Sequence, residues 1–369
     1  MSRFSVFYRI FASSLDEAAE RAEGIALEQT VEIPRDVVPK GYIEDVILGK
    51  IVSVAPEGPG AFLAHLTYSP DSTGAELPQL LNVIFGNSSI QKGIKVVGFE
   101  PGKRLSADFT GARFGIAGLR DRAHRPTGGL IAPVIKPQGS DADTLAAIAY
   151  AAALGGADII KDDHGLTNQK SAPFKRRVEK VAAAVARANR ETGGHSLYFP
   201  NIAGDSDELV DFARFAKEAG AGGALVMPGL FGFDLTRRLA TADWFDLPLM
   251  AHPTFLGSHV LSDTLGFTHA MMFGVLQRLA GADISIFPNV GGRFGFSTAE
   301  CLSIADACRA SDGIGRTIFP SPGGGMSVDR ASDMRTMYGD DVVYLLGGSL
   351  LRHLDRIGET IKEMRARLT

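Results

Sequence analysis

The sequence predicts an α/β protein, a (β/α)8 TIM barrel preceded by a small α+β, ferredoxin-like N-terminal domain. Two observations carry this prediction. From residue 129 onward, short apolar runs alternate eight times with amphipathic stretches, the rhythm of parallel strands buried on both faces beneath a layer of helices. Ahead of residue 100 the order differs, with period-two strands set around two helical stretches.

In that leading segment Ser5 to Ile10 alternates as a half-buried strand, and Ser14 to Gln29 has helical spacing with Ser14 as its N-cap. Val46 to Val54 and Phe62 to Tyr68 form a strand pair around Gly58-Pro59-Gly60. A helix over Glu76 to Ile84 and a strand over Lys95 to Phe99 complete a β-α-β-β-α-β order. Periodicity fades between residues 100 and 128, where Pro, Gly and Arg are frequent. The chain therefore divides into an α+β domain at 1–120 and a barrel at 121–369.

The barrel runs are Leu130 to Ile135, Ala157 to Lys161, Ser196 to Asn201, Ala224 to Pro228, Pro248 to His252, Asp283 to Phe287, Arg316 to Pro320 and Val342 to Leu346. Helical stretches follow over Asp141 to Leu154, Phe174 to Glu191, Asp205 to Ala219, His259 to Leu279, Thr298 to Ala310, Val328 to Met337 and Leu350 to Leu368. Eight such units in about 240 residues match the size of this barrel. A doubly wound open sheet less naturally uses eight units, and no G-x-G-x-x-G follows a first strand here.

Composition excludes several function classes. With 45% hydrophobic and 22% charged residues and a mean hydropathy of +0.07, the chain builds a sizeable core. A formal charge of −4 supplies no net field for nucleic acid. The N-terminus is broken by polar residues and lacks a signal core, and no apolar run of about 18 residues follows. We expect a cytoplasmic chain with neither nucleic acid nor membrane as partner. Cys301 and Cys308 lie two helical turns apart, on one buried face rather than in a disulfide or metal pair.

A barrel of this kind places its chemistry at the C-terminal ends of its strands, and those ends are polar here. The first run ends in Lys136-Pro137-Gln138-Gly139, the second in Lys161-Asp162-Asp163-His164, the third in Asn201 and the fifth in His252. Gly323-Gly324-Gly325 and Gly347-Gly348-Ser349 follow the last two. Carboxylate oxygens suit Mg²⁺, and a lysine that has added CO₂ supplies another anionic oxygen. The plainer reading is a Lys-Asp ion pair plugging the barrel mouth. Pleat alternation sets Lys161 and Asp163 on one face and Asp162 on the other, which favours Asp163 as the ligand. The two glycine clusters fall where such barrels hold phosphate with backbone N–H groups; tight turns alone are their plainer explanation. Lys136 is placed for acid–base work and His252 for a hydrogen bond to a substrate hydroxyl. His65, His124, His195, His259, His269 and His353 share no such context and read as surface or core residues.

Gly155-Gly156-Ala157-Asp158-Ile159-Ile160-Lys161-Asp162-Asp163 resembles the metal-binding signature of the RuBisCO large chain, and the similarity covers nearly the whole sequence. Ile135-Lys136-Pro137, Phe85-Gly86-Asn87, Gly324-Gly325, Tyr338-Gly339-Asp340-Asp341 and Leu346-Gly347-Gly348 add to it. The resemblance implies a carbamylated Lys161 (N6-carboxylysine), Asp163 as a Mg²⁺ ligand, and Lys136 as the lysine that handles protons near the enediol. His252 matches the first residue of the family's His-Arg pair. Glu28 and Asn87 would reach into a neighbouring subunit's barrel, making an obligate homodimer with shared sites. Gly324, Gly325, Gly347 and Gly348 would cradle a substrate phosphate.

The departures from the family carry functional information. His164 stands where the family has a second acidic metal ligand, which leaves an imidazole among the metal candidates. Gln138 replaces the second lysine of Lys-Pro-Lys, Pro253 replaces an arginine, and Phe287-Pro288-Asn289 lacks the family's histidine. Those last two positions hold the second phosphate of ribulose bisphosphate in the family, and here one dianion would stay poorly paired. Gly291-Gly292-Arg293-Phe294-Gly295 occupies the place of the lysine loop that captures CO₂. The resemblance is therefore to a RuBisCO-like protein (form IV) that enolises a small monophosphorylated sugar without carboxylating it. Phe287, Phe294 and Phe296 are expected beside an apolar tail such as a methylthio group. Isomerisation of 5-methylthioribulose 1-phosphate is the leading reading. The alternatives are an enolase acting on 2,3-diketo-5-methylthiopentyl 1-phosphate, a decarboxylase of a phosphorylated 3-oxo-acid (3-oxo-isoapionate 4-phosphate), a metal-free Schiff-base aldolase using Lys161 or Lys136, and a non-catalytic sugar-phosphate binder.

Overall fold

The computed structural model describes residues 2–351 and 356–368; His353 lies outside them. The N-terminal sheet holds β1 (Phe4–Phe11), β2 (Lys50–Gly58), β3 (Ala61–Tyr68) and β4 (Ile94–Glu100), antiparallel in the order β4-β1-β3-β2. Alternation in β1 buries Phe4, Val6, Tyr8 and Ile10 in the domain core and turns Phe7 and Arg9 to the opposite, open face. Helices at Leu15–Glu28 and Leu77–Phe85 belong to the same core, the first capped by Ser14, whose hydroxyl accepts from the Glu17 N–H at 3.2 Å.

The barrel strands are β5 (Leu130–Ile135), β6 (Ile159–Asp162), β7 (Leu197–Phe199), β8 (Ala224–Val226), β9 (Leu249–Ala251), β11 (Ile284–Pro288), β12 (Phe319–Gly323) and β13 (Val343–Leu346), all pairing in parallel. Between β9 and β11, β10 (Gly266–Phe267) leaves the barrel and adds to the N-terminal sheet beside β4. A parallel bridge between Asn201 and Leu225 joins the two ends of the row. Every second residue points inward, so Leu130, Ala132, Val134, Ile159, Phe199, Leu225, Met250, Ile284, Ile286, Phe319, Val343 and Leu345 form one core inside the barrel. Leu119, on the helix Gly115–Arg122, joins that core. The same segment is pinned by Asp283, whose buried carboxylate accepts from the N–H groups of Phe114, Gly115 and Leu249 at 2.7–2.9 Å.

Several predicted elements shift. The strand expected over 46–54 lies at Lys50–Gly58, because Ile43–Ile47 ahead of it is helical. The helix expected over His259–Leu279 begins only at Met271, because Gly266 at φ +95° breaks the helical run and its neighbour pairs with β4. A side chain at Gly266 would also meet the His259 carbonyl oxygen at 2.1 Å. The seventh strand lies at 319–323 rather than 316–320. Both cysteines are free and buried on the helix Thr298–Arg309. Among the described residues, no helix is long and apolar enough to cross a membrane.

Candidate active site at the barrel mouth

The pleat of β6 decides what its charged end offers. Ile159 and Lys161 face the barrel axis while Ile160 and Asp162 face the helices. The Lys161 amine, on a side chain 1% exposed, donates to the Asp162 carbonyl at 2.6 Å. Asp163 sits between two partners, Lys136 Nζ at 3.4 Å from Oδ2 and His164 Nδ1 at 2.7 Å from Oδ1. The His164 ring stacks on His252, with centroids 4.2 Å apart and planes 15° from parallel. The ends of β5, β6 and β9 thus bring Lys136, Lys161, Asp163, His164 and His252 together.

Their charges follow from that crowding. Burial pushes the Lys161 amine down to about 8, a shift that Lys136 reinforces and Asp163 and Asp162 oppose. Burial raises Asp163, but the His164 hydrogen bond and the charges of Lys161 and Lys136 outweigh it and hold the carboxyl well below its usual range. Burial, then Lys161 and His164, keep His252 well below an ordinary histidine, so it is neutral. Its Nδ1 accepts from the Thr254 N–H at 3.1 Å, which leaves the proton on Nε2 as a donor.

Asp162 has a different task. Its oxygens accept from Arg177 Nε at 3.0 Å, the Tyr198 hydroxyl at 2.9 Å and the Asn201 N–H at 3.0 Å. Arg177 also donates to the carbonyls of Thr167 and Ala172. Asn201 donates from Nδ2 to the carbonyls of His164 and Leu166 at 2.9 and 3.0 Å. This buried frame holds the loop that carries Asp163 and His164. Asn201 was visible in the sequence as a polar strand end. Arg177 and Tyr198 were not, since each joins the frame only through tertiary packing.

The glycine clusters meet. A cavity of about 280 Å³ is lined by Gly324, Gly325, Met326, Ser327, Leu345, Gly347 and Gly348. Gly324 and Gly325 take φ +90° and +65°, which glycine adopts without strain. A Cβ on Gly347 would lie 3.8 Å from Lys136 Nζ, so the hollow adjoins the charged cluster.

The ends of β9 and β11 offer less to an anion. Pro253 has no N–H, and the fully buried Asn289 is turned away, accepting from the Tyr338 hydroxyl at 2.6 Å and donating to the sulfurs of Met326 and Met334. The expected apolar wall needs correction. Phe287 follows the pleat outward with Ser285 and packs on Tyr338, and Phe296 is buried against His269 and Phe273. Of the three phenylalanines only Phe294 is exposed; Phe255, three residues after His252, is exposed as well, at φ +66°.

Glu28 and Asn87 meet on the N-terminal domain, where Asn87 Nδ2 donates to Glu28 Oε1 at 2.8 Å and to Glu32 Oε1 at 3.0 Å. The sequence reading missed Glu32. Among the described residues, none of these three bonds to the barrel mouth of its own chain.

A charged cluster at the strand ends beside a glycine-lined hollow, on a barrel behind a ferredoxin-like sheet, defines a class. Residues 115–294 match the family described as ribulose bisphosphate carboxylase large chain, catalytic domain. The chain belongs to the RuBisCO large-chain family, in its RuBisCO-like branch. It is 37% identical over 370 residues to ribulose bisphosphate carboxylase-like protein 1 of Rhodopseudomonas palustris, covering 100% of this chain and 96% of that one. It is 38% identical to the 5-methylthioribulose-1-phosphate isomerase of Rhodospirillum rubrum, over 97% of this chain and 94% of that one. The crystal structure of a Rubisco-like protein from Rhodopseudomonas palustris superposes with a TM-score of 0.87 at 34% identity, covering 100% of this chain and 98% of that one.

Proposed function

We propose that the chain is a non-carboxylating enzyme that isomerises a monophosphorylated ketose, 5-methylthioribulose 1-phosphate, through enediols. The observation that carries this reading is the uneven make-up of the rim. The ends of β12 and β13 form a glycine-lined hollow beside Lys136, whereas the ends of β9 and β11 carry Pro253 and an Asn289 whose side chain is already bonded to Tyr338, where a second phosphate would need cations. The name and full-length similarity of the Rhodospirillum rubrum relative support the same substrate class.

The donor set has to suit Mg²⁺ for this chemistry. Among the described residues, no three His, Cys, Asp or Glu side chains gather as a ready metal site. One carboxylate and one imidazole are too few anionic oxygens for Mg²⁺. The set fits once Lys161 carries CO₂, and a fully buried amine at about 8 has the neutral fraction that carbamate formation needs. Lys161 and Asp163 would then hold the ion, with His164 free to ligate through Nε2, because its Nδ1 already faces Asp163. With Mg²⁺ bound, the site would gain polarisation of the substrate carbonyl and a more acidic α-hydrogen.

The chain's own groups do the rest. Backbone N–H groups of the glycine turns bind the phosphate. His252 donates from Nε2 to a substrate hydroxyl and fixes the sugar's orientation. Lys136, tethered to Asp163 at 3.4 Å, moves the proton between neighbouring carbons. Phe255 and Phe294 face the apolar tail. Glu28 and Asn87 are assigned to a neighbouring subunit's site, in a homodimer of the reducing cytoplasm. Incubation with MgCl₂ and bicarbonate in D₂O against a panel of phosphoketoses tests the reading by NMR. Deuterium should enter beside the carbonyl of 5-methylthioribulose 1-phosphate as an isomer forms, and Lys161→Ala should abolish it. Turnover of the diketone or of a 3-oxo-acid instead, or exchange unchanged in Lys161→Ala, would overturn it.

A further inference from the structure

The glycine hollow is supported by a side chain that does not line it. Gly324 and Gly325, in the turn after β12, line the hollow, whereas Arg330, Val290 and Gly291 lie outside it. Arg330 Nη1 donates to the Gly325 carbonyl at 2.7 Å, and Nη2 donates to the Val290 carbonyl at 3.2 Å. One guanidinium thus joins the turn after β12 to the turn after β11. Parallel pairing of Pro288 with Gly323 and the Asn289 N–H, 2.9 Å from the Gly323 carbonyl, bring those turns side by side. Both are glycine where the guanidinium passes. A Cβ on Gly291 would lie 3.3 Å from Arg330 Nη1, and one on Gly325 would lie 2.8 Å from it.

Local structure does not call for an arginine here. Arg330 opens the helix Ala331–Tyr338 but makes no side-chain cap, and it places a cation at the positive end of that helix. A planar fork that spans two acceptors is what distinguishes the residue.

Its charge is unmatched. Both hydrogen bonds of Arg330 end on neutral carbonyls, and among the described residues it forms no ion pair. The adjacent carboxylate, Asp329, turns to Arg367 at 3.6 Å. Lys136, the other cation beside the hollow, faces Asp163. Drawing the Gly325 carbonyl toward Arg330 also takes its negative end out of the hollow, where it would repel an anion.

We propose that Arg330 is the positioning residue of the phosphate hollow, holding both glycine turns by their outward carbonyls and backing the bound phosphate with a charge that no carboxylate cancels. The inference rests on the reading of the hollow as the phosphate site and adds the residue that shapes it.

The test is calorimetric titration of inorganic phosphate into the full chain and into Arg330→Gln and Arg330→Lys, with urea unfolding run on each. Arg330→Gln loses the charge and the fork, and should bind phosphate at least about tenfold more weakly. Arg330→Lys loses the fork but keeps the charge, and should recover most of that affinity. A merely structural role would leave the two variants alike, since neither spans both carbonyls. With the ketose phosphate as substrate, the same ranking should appear in KM, with kcat changed by less than about threefold. Unchanged phosphate affinity in Arg330→Gln, beside an unmodified chain that binds phosphate, would overturn the role of Arg330 and leave the hollow standing. Equal losses in the two variants would overturn it as well. An unmodified chain that does not bind phosphate would overturn the hollow and this proposal together. Where Arg330→Gln does not fold, Arg330→Lys decides, because a loss of about tenfold with the charge kept would refute the proposal.

Discussion

The CO₂ uptake proposed for Lys161 would have a pH profile set by burial. Only a neutral amine attacks CO₂, and a lysine in water is neutral in about one molecule in 2,500 at pH 7. With its amine pushed down to about 8, Lys161 is neutral in roughly one molecule in ten, a gain of about 250-fold or about 3 kcal/mol. The sign is fixed by the direction of the shift. At constant dissolved CO₂, the initial rate of carbamate formation should rise about tenfold per pH unit below about pH 8 and level off above it. The carbamate carbon can be followed by NMR with ¹³CO₂ in the presence of MgCl₂. Lys136 is one of the charges that push Lys161 down, so Lys136→Met should move the plateau to higher pH and slow uptake at pH 7. A rate that climbs without a break to about pH 10.4, the range of a solvated lysine, would refute the claim that burial tunes this amine. No carbamate signal at any pH would refute the uptake itself.

Because Lys161 is lowered in the folded state, the unfolded chain binds the extra proton between about pH 8 and about pH 10.4, and stability should rise with pH across that window. Lys161→Met should remove the dependence and stabilise the protein at pH 7 by on the order of 3 kcal/mol, measured by urea unfolding with Trp244, the only tryptophan, as the fluorescent reporter. Arg177→Met leaves the fully buried Asp162 carboxylate uncompensated and should cost about 3–5 kcal/mol, whereas Arg177→Met with Asp162→Leu should recover most of it; equal losses in the single and double variants would exclude the ion pair as the cause. Gly325→Ala puts a Cβ 2.8 Å from Arg330 Nη1 and 3.0 Å from the Gly291 carbonyl at φ +65°, a strain of about 1–2 kcal/mol; it should weaken inhibition by inorganic phosphate and raise KM, and unchanged phosphate inhibition would detach the hollow from phosphate binding.

Much of the fold was legible because parallel barrel strands are buried on both faces and leave unbroken apolar runs, as Leu130–Ile135 shows. The seventh strand was misplaced for a physical reason. Its sequence, Phe-Pro-Ser-Pro-Gly, carries two prolines that argue against a central strand. In the site, period-two alternation separated Lys161 and Asp163 from Asp162, and the same rule applied to Ile284–Pro288 would have turned Phe287 outward. What stayed illegible depends on distant pairs. Arg177 looked like one more charge on an amphipathic helix, yet it closes a buried pair with Asp162.

The partition of the two aspartates also sets the charge balance of the mouth. Asp162 is spent on Arg177, which leaves Asp163 as the carboxylate facing Lys136 and Lys161. In this state the cluster is cationic or near neutral and has little attraction for a divalent ion. Addition of CO₂ would turn the Lys161 amine into an anion, so the cluster would lose between one and two positive charges, which Mg²⁺ would restore. Binding of the two would therefore be linked, and linkage is reciprocal. Whatever factor CO₂ adds to Mg²⁺ affinity, Mg²⁺ must add to the fraction of Lys161 carbamylated at equilibrium. Titrating Mg²⁺ by calorimetry at low and at saturating CO₂, and ¹³C carbamate occupancy at low and at saturating Mg²⁺, should return the same factor; Mg²⁺ affinity indifferent to CO₂ would mean that the ion is held by groups other than Lys161.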